Sequence, residues 1–513
     1  MKAIRKTLIH TSDLQSALLC PRKALLQRQI LHPPGQVPDN TGYHEALEAI
    51  LEPFDLQSTQ TGDSSEVSLA LLEKYGKGRN LRFQAEGVRA TIPLLFKRKD
   101  GTWLAVYPFG VNAVREHLAP SIWINREIAR RNGIEISAHL FIHLNKKTIR
   151  QPELRPIDYF DFSVNFFKAK GGKRRATIDQ QLDELNGVID FDALASRFKD
   201  LLEKENTPPI KCKSCTAPSR CPFYELCWHD DQKPDDSIAF LSSCGKRNEM
   251  EEQGILRMKD VPPENLEGSP LQYAQIQADH RDGEFVDQAG LKSWFDQLKA
   301  PVSYLDFEWD TYSLPPYDGM KSFDVLCFQY SAHVETPEGK LVHKNFYAQG
   351  DCRKAFIEQL IADLPESGSI VVFNLEGAER LRLMQLASQF EEYRKPLEAI
   401  CSRMIDLALP FENGCYYNLK QRGHTSLKTL LPLFSAVSYD SLDIHNGMEA
   451  VQAYRLAQRV EPEEAKKLGE QISEYCAMDT YAERELLKGL WKKMDHPKED
   501  ASLDQNQPLK QEV

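Results

Sequence analysis

Four cysteines lie within sixteen residues of this chain, and any metal centre that they form dictates how the surrounding segment folds. The segment CKSCTAPSRCPFYELCW has the spacing C-x2-C-x5-C-x5-C, formed by Cys212, Cys215, Cys221 and Cys227. Thiolates at this density favour zinc or an iron–sulfur cluster. The spacing differs from the two C-x2-C pairs of a zinc ribbon. A fifth cysteine, Cys20 in LLCPRKALL, stands far upstream, so the layout is one distant cysteine and one tight group.

Length and hydropathy bound the class of protein. A chain of 513 residues has room for about three domains at roughly 100–200 residues each. The mean hydropathy of -0.48 and the lack of a long apolar run predict that no segment crosses a membrane. The first residues show no apolar region before a small-residue cleavage site, so we expect a cytoplasmic protein. In that compartment the cysteines are not expected to form disulfides, and the six isolated ones are expected to be buried singly.

Composition and periodicity divide the chain into four parts. Residues 1–235 and 301–494 alternate predicted strands and helices, which indicates two α/β domains. Residues 236–300 are rich in charge, Pro and Gly around a short helical stretch at 245–258, and we expect a connector there. The polar segment 495–513 is predicted to be disordered.

Local signals give a first view of the N-terminal part. The first helix is predicted over residues 12–27, with Ser12 as its N-cap. Two strands are predicted within 87–109, joined by a turn at Lys99, Asp100 and Gly101. Basic residues slightly outnumber acidic ones up to residue 235 and acidic ones predominate afterwards, so any nucleic-acid contact is expected mainly in the first part.

An acidic pair stands in the first predicted strand of the C-terminal part. In PVSYLDFEWD, Asp306 and Glu308 are two residues apart, and such side chains point to one face of a strand. Two like charges buried together raise the free energy unless cations neutralise them. Carboxylate oxygens are hard ligands that suit Mg²⁺ or Mn²⁺. The alternative is that these are ordinary surface acids on a solvated strand edge.

Further acidic residues follow in local structure that fits the same site. In SIVVFNLEGAERLRL a buried strand precedes a helix, which places Glu376 and Glu379 near the carboxyl end of the strand. In EYCAMDTYAERELL, Tyr475 and Asp479 are four residues apart on a helix and therefore share a face.

This order of motifs resembles the DEDD exonucleases, in the subclass that has Tyr-x3-Asp as its third motif. The resemblance implies an RNase H-like fold, a mixed sheet flanked by helices, with two metal ions held by the acids. It would make Asp306, Glu308 and Asp479 metal ligands, and Tyr475 would orient the attacking water.

The second motif departs from that family, because most members have Asp where this chain offers Glu379 or Glu376. Glu379 is preferred, since ERLRL is similar to the helix start of a related bacterial subfamily. Asp406 and the SLKTLLP stretch with Lys428 also look like later helices of the family, and Asp406 is expected to be structural.

The cysteine layout resembles RecB-like nucleases of the PD-(D/E)XK type that carry an iron–sulfur staple. In these a [4Fe–4S] cluster ties the two ends of the nuclease domain together. The resemblance implies Cys20, Cys215, Cys221 and Cys227 as the cluster ligands. Cys212 competes for one of the four places, because Cys212, Cys215 and Cys221 match the spacing of other RecB-like members. Zinc is the alternative metal.

The nuclease motifs of the RecB-like family are degenerate in this chain. Where the family has an Asp, a Glu-x-Lys and a Gln, the chain has Pro93, Pro108, Gly110 and Asn125. The fold is therefore expected to persist without its chemistry, as a nucleic-acid-binding module. His44 is a possible remnant of the family's first-helix histidine. Candidate phosphate contacts lie in KAKGGKRR, at Lys168, Lys170, Lys173, Arg174 and Arg175.

Together the two resemblances match a bacterial family that fuses an iron–sulfur RecB-like domain to a DEDD-type domain. They predict a metal-dependent 3′–5′ exonuclease that acts on single-stranded DNA or RNA, with a [4Fe–4S] cluster and Mg²⁺ or Mn²⁺ as cofactors. The alternative is a non-catalytic iron–sulfur protein that binds nucleic acid as a scaffold.

Overall fold

The computed structural model describes residues 8–29, 40–168, 172–173, 176–204, 207–216, 220–336 and 338–494. These residues divide into two compact units. The first contains the described residues up to Asp231 together with Thr311–Asp324. The second contains Gln232–Asp310 and the described residues from Val325 onwards. The tail 495–513, predicted to be disordered, lies outside the described residues.

The first unit has a six-stranded mixed sheet with helices packed against it. Its strands run in the order β1-β3-β4-β5-β6, with β2 paired to β3; β1 and β3 are parallel, as are β4 and β5, and the other pairs are antiparallel. The strands are β1 Ile9–His10, β2 Lys77–Ala85, β3 Val88–Lys97, β4 Trp103–Phe109, β5 Ile136–Leu144 and β6 Phe160–Ser163. The helices are α1 Thr11–Leu19, α2 Pro21–Gln29, α3 Thr41–Leu51, α4 Ser65–Tyr75, α5 Ala119–Arg131, α6 Ile178–Asp183, α7 Phe191–Glu203 and α8 Tyr224–Trp228.

The first predicted helix is in fact two helices separated at Cys20. Cys20 has an extended backbone (φ -161°, ψ 114°), because the ring of Pro21 disfavours helical geometry in the residue before it. Pro21 then starts the next helix, where its missing N–H is not needed. The predicted N-cap at Ser12 is wrong. His10 precedes the helix, and its backbone N–H donates to the Asp13 carboxylate at 2.8 Å. The predicted turn between β3 and β4 is confirmed.

The segment expected to be a connector contributes regular structure to the second unit. Only Arg247–Glu252 (α9) is α-helical within the predicted stretch 245–258. Farther along come α10 Pro270–His280, β7 Glu284–Val286 and α11 Gln288–Phe295. Strand β7 pairs antiparallel with β13, Tyr416–Asn418, so this segment is joined by backbone hydrogen bonds to a distant part of the chain.

The second unit is built on a five-stranded mixed sheet in the order β10-β9-β8-β11-β12. Strands β9 and β10 are antiparallel, whereas β11 is parallel to both β8 and β12. The strands are β8 Val302–Thr311, β9 Val325–Glu335, β10 Leu341–Tyr347, β11 Ser369–Val372 and β12 Met404–Asp406. The helices are α12 Arg353–Asp363, α13 Glu379–Gln389, α14 Arg394–Cys401, α15 Leu409–Glu412, α16 Leu427–Leu430, α17 Gly447–Ala457 and α18 Pro462–Lys492. The protein is thus of mixed α/β class in both units.

Side-chain alternation along β8 divides the second unit into two faces. Leu305 and Phe307 belong to the apolar cluster that includes residues of α12, α13 and α14. Tyr304 belongs to a different cluster, which includes residues of α11 and α18. Because successive side chains of a strand point to opposite faces, Asp306 and Glu308 lie on the same face as Tyr304.

Helix α18, with 31 residues, carries many charged side chains. Within the described ranges, no helix combines the length and apolar character needed to cross a bilayer.

Candidate metal centre and cysteine cavity

Three of the predicted carboxylates meet in the second unit. Asp306 and Glu308 come from β8, and Asp479 comes from α18. Each residue contributes one carboxylate oxygen, and these three oxygens all lie within 4.8 Å of one another. Glu308 and Asp479 are buried, and Asp306 is partly exposed. Three hard oxygen donors at this separation can hold a divalent cation.

Helix α18 brings its residues to the site in register. Tyr475 and Asp479 are one helical turn apart and both are buried. Between them, the thiol of Cys476 lies 3.2 Å from Oδ2 of Asp306, so the helix packs directly onto the end of the acidic strand.

Two residues that were not predicted as site residues hold the third-motif pair. The hydroxyl of Tyr439 donates to Oδ1 of Asp479 at 2.6 Å. The ammonium of Lys428 lies 3.2 Å from the Tyr475 hydroxyl, and 4.8 Å from the ring centres of both Tyr439 and Tyr475. The sequence analysis assigns Lys428 only to a helix. Tyr439 lies in a loop, and hydrophobic periodicity does not predict the path of a loop.

The structure separates the two candidates for the second-motif acid. Glu379 is the first residue of α13 and is 2% exposed, with its charge acting on the acidic site. The side chain of Glu376 is 73% exposed and pairs with Arg380. Glu379 is therefore the candidate buried near Asp306, although it is not among the three acids whose oxygens lie within 4.8 Å of one another.

Asp406 has contacts that fit its expected structural role. Its carboxylate accepts backbone N–H bonds from Asn374 at 3.0 Å, Leu375 at 2.8 Å and Ala408 at 2.9 Å. These bonds fix the loop between β11 and α13, and so position Glu379 at the start of that helix.

Burial and mutual repulsion disfavour the charged forms of these acids. Burial, together with the charge of Asp479, raises the pKa of Asp306 to about 8. Burial raises the pKa of Asp479 to about 6, although bonds from Tyr439 and the charge of Lys428 oppose the shift. Burial and the charges of Asp306 and Asp479 hold the pKa of Glu308 well above its usual range. A divalent cation would relieve this repulsion directly.

The backbone also approaches Glu308 closely. Gly447 is the first residue of α17, and a Cβ added there would lie 3.3 Å from Oε2 of Glu308. The positive end of the helix dipole thus faces this carboxylate, which partly compensates its charge.

A further carboxylate, Glu483, lies among these acids and was not predicted. It is 1% exposed on α18, four residues after Asp479. The spacing of Tyr475, Asp479 and Glu483 could have predicted Glu483 as a site residue, because helical positions four residues apart share a face.

The four cysteines implied by the iron–sulfur resemblance line one cavity in the first unit. Cys20, from the break between α1 and α2, meets Cys215, Cys221 and Cys227 there. Trp228 also lines it, and its buried indole N–H interacts with the sulfur of Cys215. Such N–H donors serve the sulfurs of iron–sulfur clusters, so the residues present fit this group.

Cys212 does not line the cavity, although its sulfur lies 3.8 Å from that of Cys215. Among the described residues, no three cysteine sulfurs lie within 4.8 Å of one another. One tetrahedral zinc ion would hold its sulfurs about 3.8 Å apart, given Zn–S bonds of about 2.3 Å. A cubane holds its thiolates farther apart, because each binds a different iron, so the two metals require different sulfur positions.

The positions compared with the RecB-like motifs lie on two strands and one helix of the first unit. Pro93 and Pro108 lie in β3 and β4, and Gly110 follows β4. Asn125 is buried in α5, where its side-chain oxygen accepts a bond from the Thr11 hydroxyl at 2.7 Å.

Other candidates in this unit have limited contacts. His44 lies in α3, where its ring contacts that of Tyr43 edge-on. In the basic loop, Lys173 lies 6.0 Å from the ring of Phe167, and the backbone N–H of Lys168 donates to Gly172. Lys170, Arg174 and Arg175 lie outside the described residues.

A family model described as a domain of unknown function, DUF2779, matches residues 303–426. The match covers about a quarter of the chain. It includes Asp306, Glu308 and Glu379, and it ends before Lys428 and the third-motif residues of α18. No curated protein matches the chain.

Metal binding should stabilise the second unit. We expect saturating Mn²⁺, at about 100 times its dissociation constant, to stabilise the protein by about 2.7 kcal/mol. For a unit of this size that is a rise in melting temperature of roughly 5–10 °C. Calorimetry would measure this rise, which Asp306→Asn and Asp479→Asn should each abolish. Glu376→Gln removes an exposed carboxylate nearby and should keep it, so loss of the rise in this control would contradict a specific site.

Single substitutions test the cysteine cavity. Replacing Cys20, Cys215, Cys221 or Cys227 by Ser should remove most of the iron and acid-labile sulfide from anaerobically purified protein, because each thiolate binds one iron. Cys212→Ser should retain both. If Cys20→Ser keeps its iron and Cys212→Ser loses it, the ligand set is the alternative one. Zinc bound at one ion per chain, without sulfide, would contradict the cluster itself.

Proposed function

We propose that the second unit is a metal-dependent 3′–5′ exonuclease that acts on single-stranded DNA or RNA. The observation that carries this proposal is the convergence of Asp306, Glu308 and Asp479 within 4.8 Å, next to the buried Tyr475. Surface acids would not explain it, because Glu308 and Asp479 are buried together and one lysine is the main cation that acts on them.

The residues present fit a two-metal centre. Asp306, Glu308, Glu379 and Asp479 would hold the ions, which when bound activate a water and stabilise the leaving 3′ oxygen of an in-line displacement. Tyr475 would orient the attacking water through its hydroxyl. Burial and the nearby carboxylates raise the pKa of Tyr475, so it stays protonated and acts as a hydrogen-bond donor.

Lys428 and Tyr439 would keep this arrangement in place. The Tyr439 hydroxyl donates a hydrogen bond to Oδ1 of Asp479. This bond would fix the orientation of the carboxylate and leave Oδ2 for an ion. The Lys428 ammonium lies beside the Tyr475 hydroxyl and carries a charge that can stabilise a phosphodiester in the transition state.

The order of motifs and the sheet support the DEDD resemblance. The acids come from a strand, from the helix start after a second strand, and from a late helix, which is the arrangement that the resemblance implies. The sheet is mixed and has helices against both faces, as an RNase H-like fold requires.

The first unit is proposed to bind nucleic acid as an iron–sulfur RecB-like module. Its four-cysteine cavity and mixed sheet support that assignment. We propose that the first unit does not itself cleave nucleic acid, because Pro93, Pro108 and Asn125 cannot bind a metal ion as carboxylates do.

A second candidate function is a non-catalytic iron–sulfur protein that binds nucleic acid as a scaffold. The observation in its favour is Glu379, which is longer than the usual second-motif Asp and changes the metal geometry. Cleavage separates the two candidates, whereas nucleic-acid binding does not.

The direct test uses anaerobically purified protein and single strands labelled at either end, in DNA and in RNA, with Mg²⁺ or Mn²⁺. Wild type should shorten one or both polymers from the 3′ end. Asp306→Asn should slow this by at least ~10³-fold, since loss of a metal ligand removes several kcal/mol of transition-state stabilisation. Glu376→Gln should cleave like wild type. Cleavage that survives Asp306→Asn would place the chemistry elsewhere, and no cleavage of either polymer would favour the scaffold.

Tyr475→Phe separates water positioning from metal binding. We expect kcat to fall by ~10²-fold or more, because the substitution removes only the hydroxyl that orients the nucleophile. The Mn²⁺-induced rise in melting temperature should persist. Tyr481→Phe removes a partly buried hydroxyl from the same helix and should leave kcat unchanged. Equal rates for Tyr475→Phe and wild type would exclude this role.

A further inference from the structure

Glu483 is a buried carboxylate that the four-acid motif does not use. It lies on the face of α18 that carries Tyr475 and Asp479, one turn beyond Asp479. Only 1% of the residue is exposed, less than for any of the four motif acids. A Glu is almost never buried to this extent unless it is paired or binds a metal.

One oxygen of Glu483 has no protein partner. Oε2 of Glu483 is buried without a hydrogen bond, and so is Oε2 of Glu379, which is 2% exposed. An unpartnered buried carboxylate oxygen is strongly unfavourable unless a proton or a cation satisfies it. Two such oxygens within one acidic site indicate that a ligand belongs there.

The charges that act on Glu483 are all negative. Burial and then the charges of Asp306, Glu379, Asp479 and Asp406 hold its pKa well above the usual range. The neighbouring Arg484 pairs instead with Glu335 and Glu485.

The acids also differ in how closely they approach one another. Asp306, Glu308 and Asp479 form one group with oxygens within 4.8 Å, and neither Glu379 nor Glu483 belongs to it. The charge of Asp306 nevertheless acts on both Glu379 and Glu483. Asp306 therefore interacts electrostatically both with the three-acid group and with the buried Glu379 and Glu483.

We infer that Glu483 is a ligand of the metal centre and shares the second divalent cation with Glu379. This inference rests on the proposed function for the presence of two ions and adds a fifth carboxylate to the four motif acids. It also gives Glu379 a partner: two long carboxylates, from α13 and α18, together complete the second site in place of the usual second-motif Asp.

Counting bound Mn²⁺ tests this inference without any measurement of activity. Electron paramagnetic resonance of free Mn²⁺ in titrations of the cluster-loaded protein gives the number of ions and their dissociation constants. Wild type should bind two. Glu483→Gln keeps the size of the side chain and removes its charge, and it should weaken the second ion at least tenfold while leaving the first unchanged. Glu474→Gln, an exposed position on the same helix, should match wild type.

The outcomes are distinct from those of the nuclease assay. If Glu483→Gln binds two ions with wild-type affinity, Glu483 is a protonated structural residue and the inference is wrong, whatever the cleavage result. A wild type that binds fewer than two ions also overturns it. Two ions bound by wild type without cleavage would refute the exonuclease and leave the inference standing. If Glu483→Gln does not fold, as judged by calorimetry, Glu483→Asp provides the same comparison by shortening the ligand.

Discussion

Repulsion among carboxylates that are buried together is the constraint on which the second unit depends. Burial raises the pKa values of Asp306, Glu308 and Asp479, and their neighbouring charges add to the effect. The surrounding fold compensates only in part, through Lys428, the Tyr439 hydroxyl and the amino end of a helix. Tight packing on the opposite face of the sheet holds the acids in place despite this repulsion. The net result is a group of buried carboxylates whose charged forms the fold compensates only in part.

A neighbouring residue on the same strand shows what a satisfied buried acid looks like. Asp310 continues the series of Asp306 and Glu308 on one face of β8, and it is 1% exposed. Arg455 binds it through two bonds of 2.6 and 2.8 Å, the bidentate geometry that stabilises a buried carboxylate. Asp310 is therefore paired within the protein, whereas the charge of Lys428 does not offset the effect of burial on Asp306 and Glu308.

Sequence predicted those parts of the molecule that depend on local pattern. The i, i+2 spacing of Asp306 and Glu308 and the i, i+4 spacing of Tyr475 and Asp479 fix which side chains share a face, and the structure brings both pairs together. The apolar periodicity predicts one helix across Pro21, whereas the structure has two helices separated at Cys20. The known effect of proline on the preceding residue would have predicted this break. Tyr439, and the pairing of β7 with β13, depend on contacts between residues far apart in the chain, which no local pattern encodes.

The cysteine cavity has a consequence for how the chain is made. Cys20 leaves the ribosome first, and Cys227 follows 207 residues later. At about 5–20 residues per second, that interval is roughly 10–40 s. For most of this time the Cys20 thiol has none of the other three cavity cysteines beside it. The cavity can form only when nearly all of the chain up to Cys227 has emerged, so its four cysteines come together late in the folding of the first unit.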